Sequence, residues 1–385
     1  MADHVTLPAK KRIGDKHGVP PENILAVATH THEAPETRDH NVPVDPRYVQ
    51  RVIDSIVEAT DEALSHLFEA TVHAGLSEAG GFSFNKLFRL KDGREVMGLY
   101  ATGGQEVGRA GPVDPSVQTL ALFDTDLRLR GAAVNFGCHA DTLAGADADM
   151  VSADWPGEMV RNLSGVYGND TTWLFLQGPC GDIGASDDLP HYRTNYGEGK
   201  TIQVGRGVAG AAAMAIETDE PLMDLRLAAA QEEFEAPYYT RTPEFFAEVA
   251  RKKAELEALK ARGEKPGYVD EHWIKRAESW PYDGKTFPVR VQCFRIGDVA
   301  LVGLPGEVFT AFGLEIKRYS PFRRTFVVEL ASCQNGFAAY QCPADQADRG
   351  AYGELPAMSR RLAAGTGRRM ADSAIRVLHR LWDEA

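Results

Sequence analysis

Apolar residues recur along the chain with helical spacing in some segments and with strand-like runs in others. From Asp45-Pro46 to about residue 69, valine, isoleucine and alanine recur at helical spacing, and proline directly after aspartate is typical of a helix start. Short β-branched runs that end at Gly, Pro or Asp indicate strands. The pattern predicts helices at residues 5–18, 45–69, 197–216 and 360–381, and further helices that start at residues 155 and 307. It predicts strands at residues 24–29, 71–78, 118–124, 131–136, 171–176, 288–296, 299–304 and 325–330. A hairpin is predicted within residues 81–100.

Strands that alternate with helices and are joined by hairpins and meanders predict an α/β fold. We expect one domain over residues 1–385, with a mixed β-sheet core and helices on both faces. Residues 231–284 differ in composition, because they are rich in Glu, Lys and Arg and contain few large apolar residues. We interpret this segment as a helical surface insertion, serving either as a lid or oligomer contact or as a solvated excursion.

The charge balance limits the classes of partner. The chain has 42 Lys and Arg against 55 Asp and Glu, which gives a net charge of -13. Nucleic acid and anionic membranes attract basic proteins, so neither is expected as a partner. No apolar run reaches the length of a membrane span.

The amino terminus and the cysteines bear on the cellular compartment. The first residues lack the apolar core of a secretory signal, and the five cysteines include no CxxC pair. Both features favour a reducing, cytoplasmic location. The first predicted helix has no strand before it, so we expect either a shortened chain or a sheet that is completed differently. The sheet edge left exposed suggests a homo-oligomer as a hypothesis.

The first chemical candidate is the pair His30 and His32, which ends an apolar run. On an extended strand, residues two apart face the same side. If the strand continues through Thr31, both imidazoles therefore enter one pocket, as metal-binding histidines do. Two polar residues in a loop are an equally good interpretation of this motif alone.

Further candidates lie at the ends of other predicted elements. His139 follows the strand at 131–136, and Glu307 follows a strand and a Pro-Gly turn. Two imidazoles and a carboxylate form the ligand set of a catalytic zinc site that leaves positions open. Glu307 could instead be a first-turn acid stabilised by the helix dipole. Asp141 could orient an imidazole or could be an exposed loop acid.

Five segments taken together resemble the neutral/alkaline non-lysosomal ceramidase family in its catalytic domain. The motifs are ATHTHEAP (28–35), NFGCHADT (135–142), LQGPCGDI (176–183), VGLPGEVF (302–309) and CQNGFAAYQCP with AYGE (333–343 and 351–354). They occur in the family's order between about residues 20 and 355. The resemblance implies a ceramidase-like hydrolase that lacks the family's C-terminal immunoglobulin-like domain.

The resemblance also implies roles for individual residues. The family's zinc ligands fall on His30, His139, Glu307 and Tyr340, which implies one Zn²⁺ per chain. A histidine and a tyrosine near the zinc fall on His32 and Tyr352, where they would stabilise the reacting carbonyl or pass a proton. An arginine near the family's site falls on Lys86, which offers charge but not a bidentate fork.

One departure concerns the loop after the strand at 171–176. The family commonly has serine where this chain has Gly184. A water activated by zinc needs no serine, so the change is interpreted as altered substrate handling. We therefore expect a zinc-dependent hydrolase that cleaves an amide bond, with an ester as the second option, in a small-molecule or N-acyl substrate other than ceramide.

Two alternatives remain open at this point. The chain could be a catalytically inactive relative that binds a metal for structure or ligand binding. An amidohydrolase-type barrel would also place two histidines at a strand end, but it needs eight strand–helix alternations. The predicted hairpins and meanders argue against the barrel.

Overall fold

Helices and strands alternate along the chain in the order that the apolar pattern predicts. The computed structural model describes residues 3–37, 44–98, 102–143, 150–187, 195–265, 268–331, 338–351 and 361–384. The helices are α1 Asp3–His17, α2 Pro46–Ser65, α3 Asp154–Tyr167, α4 Glu198–Glu217, α5 Pro243–Ala261, α6 Tyr268–Glu278, α7 Thr310–Tyr319, α8 Ala344–Asp348 and α9 Thr366–Asp383. Among the described residues, no helix is both long enough and apolar enough to cross a membrane.

The strands form two larger sheets and several short ladders. They are β1 Thr71–Glu78, β2 Phe84–Asn85, β3 Leu87–Leu90, β4 Glu95–Met97, β5 Glu106–Arg109, β6 Ser116–Phe123, β7 Leu129–Phe136, β8 Thr172–Gln177, β9 Ile183–Gly184, β10 Glu220–Pro221, β11 Leu227–Pro237, β12 Thr286–Ile296, β13 Val299–Gly303, β14 Glu307–Val308, β15 Arg324–Val328 and β16 Tyr340–Gln341. The first sheet has the order β10-β1-β6-β7-β8, and the second has the order β11-β12-β13-β15. Each of these two sheets is mixed, because it contains one parallel pair of strands, β7–β8 in the first and β13–β15 in the second, among antiparallel pairs.

The two sheets pack face to face, and helices cover their outer faces. Leu176 of the first sheet and Phe326 and Val328 of the second belong to one buried apolar cluster between the sheets. Helices α3 and α4 pack on the first sheet, and α9 packs on β11 and β12. The predicted α/β class, with mixed sheets and helices on both faces, is confirmed, and the core contains two sheets rather than one.

Small residues let α4 approach the first sheet closely, as its run of glycine and alanine indicates. A Cβ atom at Gly75 of β1 would lie 2.0 Å from the carbonyl oxygen of Ala215 in α4. No side chain fits in that space, so glycine is required there. This contact fixes α4 against the strands that lead toward the site.

Two predicted elements differ in the structure. Residues 24–29 form no regular strand, because only Val27 makes an isolated bridge, with Ala331, and His30 has a positive φ of 67° that ends the extension. The helix predicted from Glu307 begins at Thr310 instead. Glu307 itself pairs in β14 with Tyr340 of β16, a partner that local sequence does not reveal.

The segment 231–284 contains two helices, but it begins within strand β11. β11 pairs along its whole length with β12, and Glu233 and Glu235 are exposed on either side of the buried Phe234. These glutamates gave the segment the composition of a solvated region, although it is a strand. Phe245 and Val249 of α5 and Trp273 of α6 are buried in the cluster that also contains residues of the second sheet. The helices are therefore packed on the body of the protein and are more than a solvated excursion.

Candidate metal centre

The parallel strands of both sheets end at one shared edge. Asn135 near the end of β7 donates from Nδ2 to the carbonyl oxygens of Leu176 and Val327, at 2.9 and 3.1 Å. The backbone of Glu329, just beyond β15, donates to the carbonyl of Gln177 at 2.9 Å. In α/β proteins, ligands commonly bind where strand ends converge. The loops that leave this edge carry the candidate residues.

The segment with His30 and His32 is held against the loop after β7. Thr31 bridges to Ala140, and the His32 backbone donates to the Ala140 carbonyl at 3.1 Å. The rings of His30 and His32 lie 4.9 Å apart between centroids. The two imidazoles do share a pocket. The left-handed backbone conformation of His30 brings them together, whereas the alternation of side chains along a strand was the predicted cause.

His139 follows β7 and is completely enclosed. Its Nδ1 lies 2.9 Å from the carbonyl oxygen of Ile183, and its own carbonyl accepts from Trp155 Nε1 at 2.9 Å. The Ile183 carbonyl requires a proton on Nδ1, which leaves Nε2 as the unprotonated nitrogen of the neutral ring. His139 thus presents a lone pair to the pocket and has a fixed ring orientation.

Glu307 and Tyr340 are adjacent residues of the parallel β14–β16 ladder. The Glu307 backbone donates to Ala339, and the glycine before it, Gly306, has a positive φ of 83°. Positive φ values also occur at non-glycine residues around this edge, which are His30, Asp154, Leu330 and Ala339. Such backbone conformations cost roughly 1–3 kcal/mol each and persist where surrounding structure enforces them.

Donor atoms from four segments of the chain converge in this buried space. Glu307 Oε2 lies 3.6 Å from His30 Nε2 and 3.3 Å from His139 Nε2. The Tyr340 hydroxyl lies 3.5 Å from His139 Nε2. Within the described part of the chain, His30 Nε2 and Glu307 Oε2 are buried without a hydrogen-bond partner. Buried polar atoms rarely remain unsatisfied, so the arrangement suits a bound cation.

Burial controls the charge of the groups in the pocket. It lowers the pKa of His30 well below 6.5, and the neighbouring His139 lowers it further. It also lowers the pKa of His32, so both rings are neutral at pH 7. Burial alone would raise the pKa of Glu307, but the nearby imidazoles and the Tyr340 hydroxyl lower it instead. The neutral imidazole of His30 and the ionised carboxylate of Glu307 are therefore available as ligands.

Lys86 reaches the pocket through an ion pair. Its Nζ donates to Asp141 Oδ2 at 3.0 Å, and both side chains are largely buried. Burial opposes ionisation of Asp141, but Lys86 and the two nearby histidines, His139 and His32, lower its pKa below the usual range. Asp141 is thus a charged partner of Lys86 and not an exposed loop acid. Tyr352 lies outside the described residues.

Three buried residues at this edge were not selected from the sequence. Cys180 belongs to no motif of metal-binding cysteines in the sequence, yet its side chain lies with His30 and His139 in a group of potential metal ligands. Asp182 accepts hydrogen bonds from Asn85 Nδ2 at 2.7 Å and from the Thr310 backbone at 2.8 Å. Glu329 accepts from the backbones of Cys180 and Val308. The sequence does indicate Glu329 as a candidate site residue, because it is an acidic residue directly after a run of apolar strand residues.

These two buried carboxylates fix the loops that carry the donors. Asp182 and Glu329 are both fully enclosed. One binds the amide of Thr310 and the other binds that of Val308, so the chain on the C-terminal side of Glu307 is held at two points. Burial raises the pKa of both acids. Hydrogen bonds from backbone amides compensate part of that desolvation.

No family model matches the chain, and no curated protein matches it. Among solved structures, it is similar to neutral ceramidase from Pseudomonas aeruginosa, with a TM-score of 0.72, 19% identity and coverage of 99% of this chain and 65% of that one. A ceramidase complexed with C2 is similar at a TM-score of 0.72 and 17% identity, over 98% and 66% of the two chains. The chain thus spans just under two thirds of these relatives and has a ceramidase-like fold.

Proposed function

We propose that this protein is a metal-dependent hydrolase that cleaves amide bonds, with zinc held by His30, His139, Glu307 and Tyr340. The observation that carries the proposal is the convergence of His30 Nε2, His139 Nε2 and Glu307 Oε2 within a buried space. Two of these atoms, His30 Nε2 and Glu307 Oε2, have no hydrogen-bond partner among the described residues. The ceramidase-like fold gives independent support, since the relatives named above are hydrolases by name.

The donor set suits zinc better than a hard cation. Imidazole nitrogens and a carboxylate are the common ligands of catalytic zinc, whereas Ca²⁺ and Mg²⁺ prefer oxygen ligands alone. Zinc bound in such a set acts as a Lewis acid and lowers the pKa of water toward about 7. The neutral state of His30 and the ionised state of Glu307 match what ligation requires.

The remaining residues bind substrate and handle protons. The His32 ring lies 5.8 Å from that of His139 and faces the same space, so it can pass a proton to the leaving nitrogen. The Lys86–Asp141 pair supplies fixed charge at the side of the pocket. Tyr352 remains a predicted donor to the substrate carbonyl. An oxyanion donor of this kind typically contributes about 10²–10³ in rate.

The substrate class follows from the proposed chemistry. We expect an N-acyl amide, with an ester as the second option, because a polarised carbonyl is the group attacked in both. Ceramide itself is not the expected substrate, since residue 184 differs from the family pattern. We also propose a cytoplasmic location, and we expect no nucleic acid as a partner because the net charge of the chain is -13.

Metal content and hydrolysis test this proposal together. Metal would be measured by elemental analysis in wild type, His139→Ala and His66→Ala, where His66 is an exposed histidine at the end of α2 and serves as the control. Short- and long-chain N-acyl amides and esters would be screened with and without a chelator. We expect about one zinc per chain in wild type and in the control, loss of zinc in His139→Ala, and hydrolysis that the chelator abolishes.

The other outcomes separate the alternatives. Zinc without turnover of any amide or ester would favour the inactive, metal-stabilised relative. Absence of metal from the wild type after growth and dialysis with zinc would overturn the proposal.

A further inference from the structure

Cys180 contributes a donor atom that the proposed function does not use. The Sγ atom of Cys180 and the Nε2 or Nδ1 ligand atoms of His30 and His139 all lie within 4.8 Å of one another. Cys180 is completely buried in the loop after β8. A buried cysteine usually behaves as a small apolar side chain. Here it borders a polar pocket and not an apolar core.

We infer that Cys180 supplies a sulfur ligand to the metal in the same pocket. The inference rests on the proposed function, because it adds a ligand to that metal centre. It makes the ligand set mixed, with thiolate sulfur beside the imidazole nitrogens of His30 and His139 and the oxygens of Glu307 and Tyr340. Such a set selects thiophilic ions such as Zn²⁺ and Co²⁺ over Mg²⁺, Mn²⁺ and Ca²⁺.

Two atoms other than the Cys180 sulfur also indicate that the pocket binds a cation. Glu307 is only 4% exposed, and its Oε2 atom has no hydrogen-bond partner within the described ranges. His30 Nε2 is likewise buried and unpartnered there. Two further buried atoms without hydrogen-bond partners, Glu307 Oε2 and His30 Nε2, therefore lie in the same pocket as the Cys180 thiol, and a bound cation would satisfy both.

The distances permit ligation with small adjustments. With bonds of about 2.0–2.1 Å to nitrogen and about 2.3 Å to sulfur, neighbouring nitrogen and sulfur ligands of one zinc ion are about 3.6 Å apart. Separations of up to 4.8 Å before binding therefore need to shorten by about 1.2 Å at most.

The backbone around Cys180 is already fixed relative to Glu307. Glu329 accepts from the Cys180 backbone at 3.1 Å and from the Val308 backbone at 2.7 Å, and its Oε1 lies 3.0 Å from Cys180 Sγ. The next residue, Gly181, donates to the Val308 carbonyl at 3.0 Å. One buried carboxylate thus ties the thiol and the Glu307 segment into one unit. On ligation, a metal–sulfur bond replaces the S–H bond and the proton is released to the buffer.

Cobalt substitution gives a readout that does not depend on activity. Wild type, Cys180→Ser, Cys180→Ala and Cys293→Ala would be loaded with Co²⁺ and their ultraviolet and visible spectra recorded. Cys293 is a buried thiol on β12 and serves as the control for loss of a cysteine. We expect a thiolate-to-cobalt charge-transfer band in wild type and Cys293→Ala, and its loss in both Cys180 variants.

Zinc-loaded protein gives a second measurement. X-ray absorption should show a zinc–sulfur distance of about 2.3 Å in wild type and none in Cys180→Ser. The affinity for zinc should fall at least about tenfold in Cys180→Ser, because even partners of ligands commonly contribute 10–100-fold. Serine keeps a hydroxyl group that can donate to Glu329, so this variant removes the sulfur ligand and preserves the hydrogen bond that holds the loop.

The outcomes distinguish this inference from the function on which it rests. A wild type that binds Co²⁺ without a sulfur band and Zn²⁺ without sulfur would overturn the role of Cys180 and leave the proposed metal site standing. A wild type that binds neither metal would overturn the proposed function, and this inference with it.

Discussion

The side chain of Lys86 occupies the space that any residue larger than glycine at position 184 would need. A Cβ atom at Gly184 would lie 2.3 Å from Lys86 Cε and 3.3 Å from its Cδ. The short β2–β9 ladder brings the two residues near each other, since Phe84 pairs with Gly184 and the Lys86 backbone donates to the Asp182 carbonyl. Lys86 therefore reaches Asp141 across Gly184, and a side chain at position 184 would require the flexible lysine stem to move.

Substitution of Gly184 should disconnect Lys86 from Asp141. In Gly184→Ser, the new side chain displaces the lysine stem, and we expect kcat/KM to fall by up to about 10²-fold, as a misplacement of about 1 Å can cause. Gly184 is not among the residues with positive φ, so serine should fit its backbone and leave the melting temperature nearly unchanged.

A double-mutant cycle supplies the control for this substitution. Lys86→Met should lower kcat/KM to a similar extent, and the combined variant should be no worse than either single one. Full activity of Gly184→Ser, or strictly additive losses, would show that the two residues act independently.

Removal of metal should destabilise the protein. A ligand that binds only the folded state at about 1,000 times its Kd stabilises that state by about 4.1 kcal/mol. We therefore expect a chelator to lower the melting temperature of wild type by several degrees. His139→Ala already lacks a ligand, so its melting temperature should not respond to the chelator, and an equal response of both proteins would contradict the proposed ligand role.

Loss of the Glu329 carboxylate should destabilise the fold and weaken metal binding together. Glu329→Ala leaves the amides of Cys180 and Val308 without their acceptor, at about 1–3 kcal/mol for each buried group. Glu329→Gln keeps one acceptor oxygen and should lose less.

Urea unfolding and zinc titration would measure both effects of these variants. Glu58→Ala, an exposed position on α2, is the matched control. Unchanged zinc affinity in a folded Glu329→Ala protein would mean that Glu329 does not position the site.

The Asp114–Lys317 pair should make stability depend on acidic pH. Lys317 Nζ lies 2.7 Å from Asp114 Oδ2 and ties α7 to the start of β6. Burial alone would raise the pKa of Asp114, but Lys317 and Ser116 lower it below its usual value. A folded-state pKa below the unfolded value of about 3.9 gives stability that is present above that pH and lost as pH falls through the folded value.

Asp114→Asn therefore should cost about 1.5–3 kcal/mol near neutral pH, the usual range for hydrogen bonds to charged groups. The difference from wild type should shrink below about pH 4. Urea unfolding at several pH values would measure it, with Asp126→Asn as an exposed control. A difference that stays constant down to about pH 2 would assign the loss to packing and not to charge.

The locally encoded elements were predictable from the sequence. Helix α2 and the strands β6, β7, β12 and β13 occur within a few residues of their predicted positions. Each of these elements either buries one face or is apolar throughout, so the spacing of its own side chains reveals it. The same holds for α9, whose apolar stripe packs against the second sheet.

The candidate residues were only partly accessible in the same way. His30, His32, His139 and Glu307 attract notice because each follows an apolar run, whereas Tyr340 came only from the family resemblance. Glu329 also follows such a run and was overlooked. Cys180 carries no local signal, since its importance depends on histidines that are more than 40 residues away in the chain.

The sequence by itself determined most of the core helices and strands, the net negative charge, and the residue types capable of binding a metal. Only the tertiary structure decided that two sheets stack, that Glu307 pairs with Tyr340, and that Lys86 passes over Gly184. The physical reason is the range of the interactions. Periodicity records whether each side chain meets core or solvent within its own element, whereas pairing and ligand convergence depend on segments that are remote in the chain and meet only when the whole core packs.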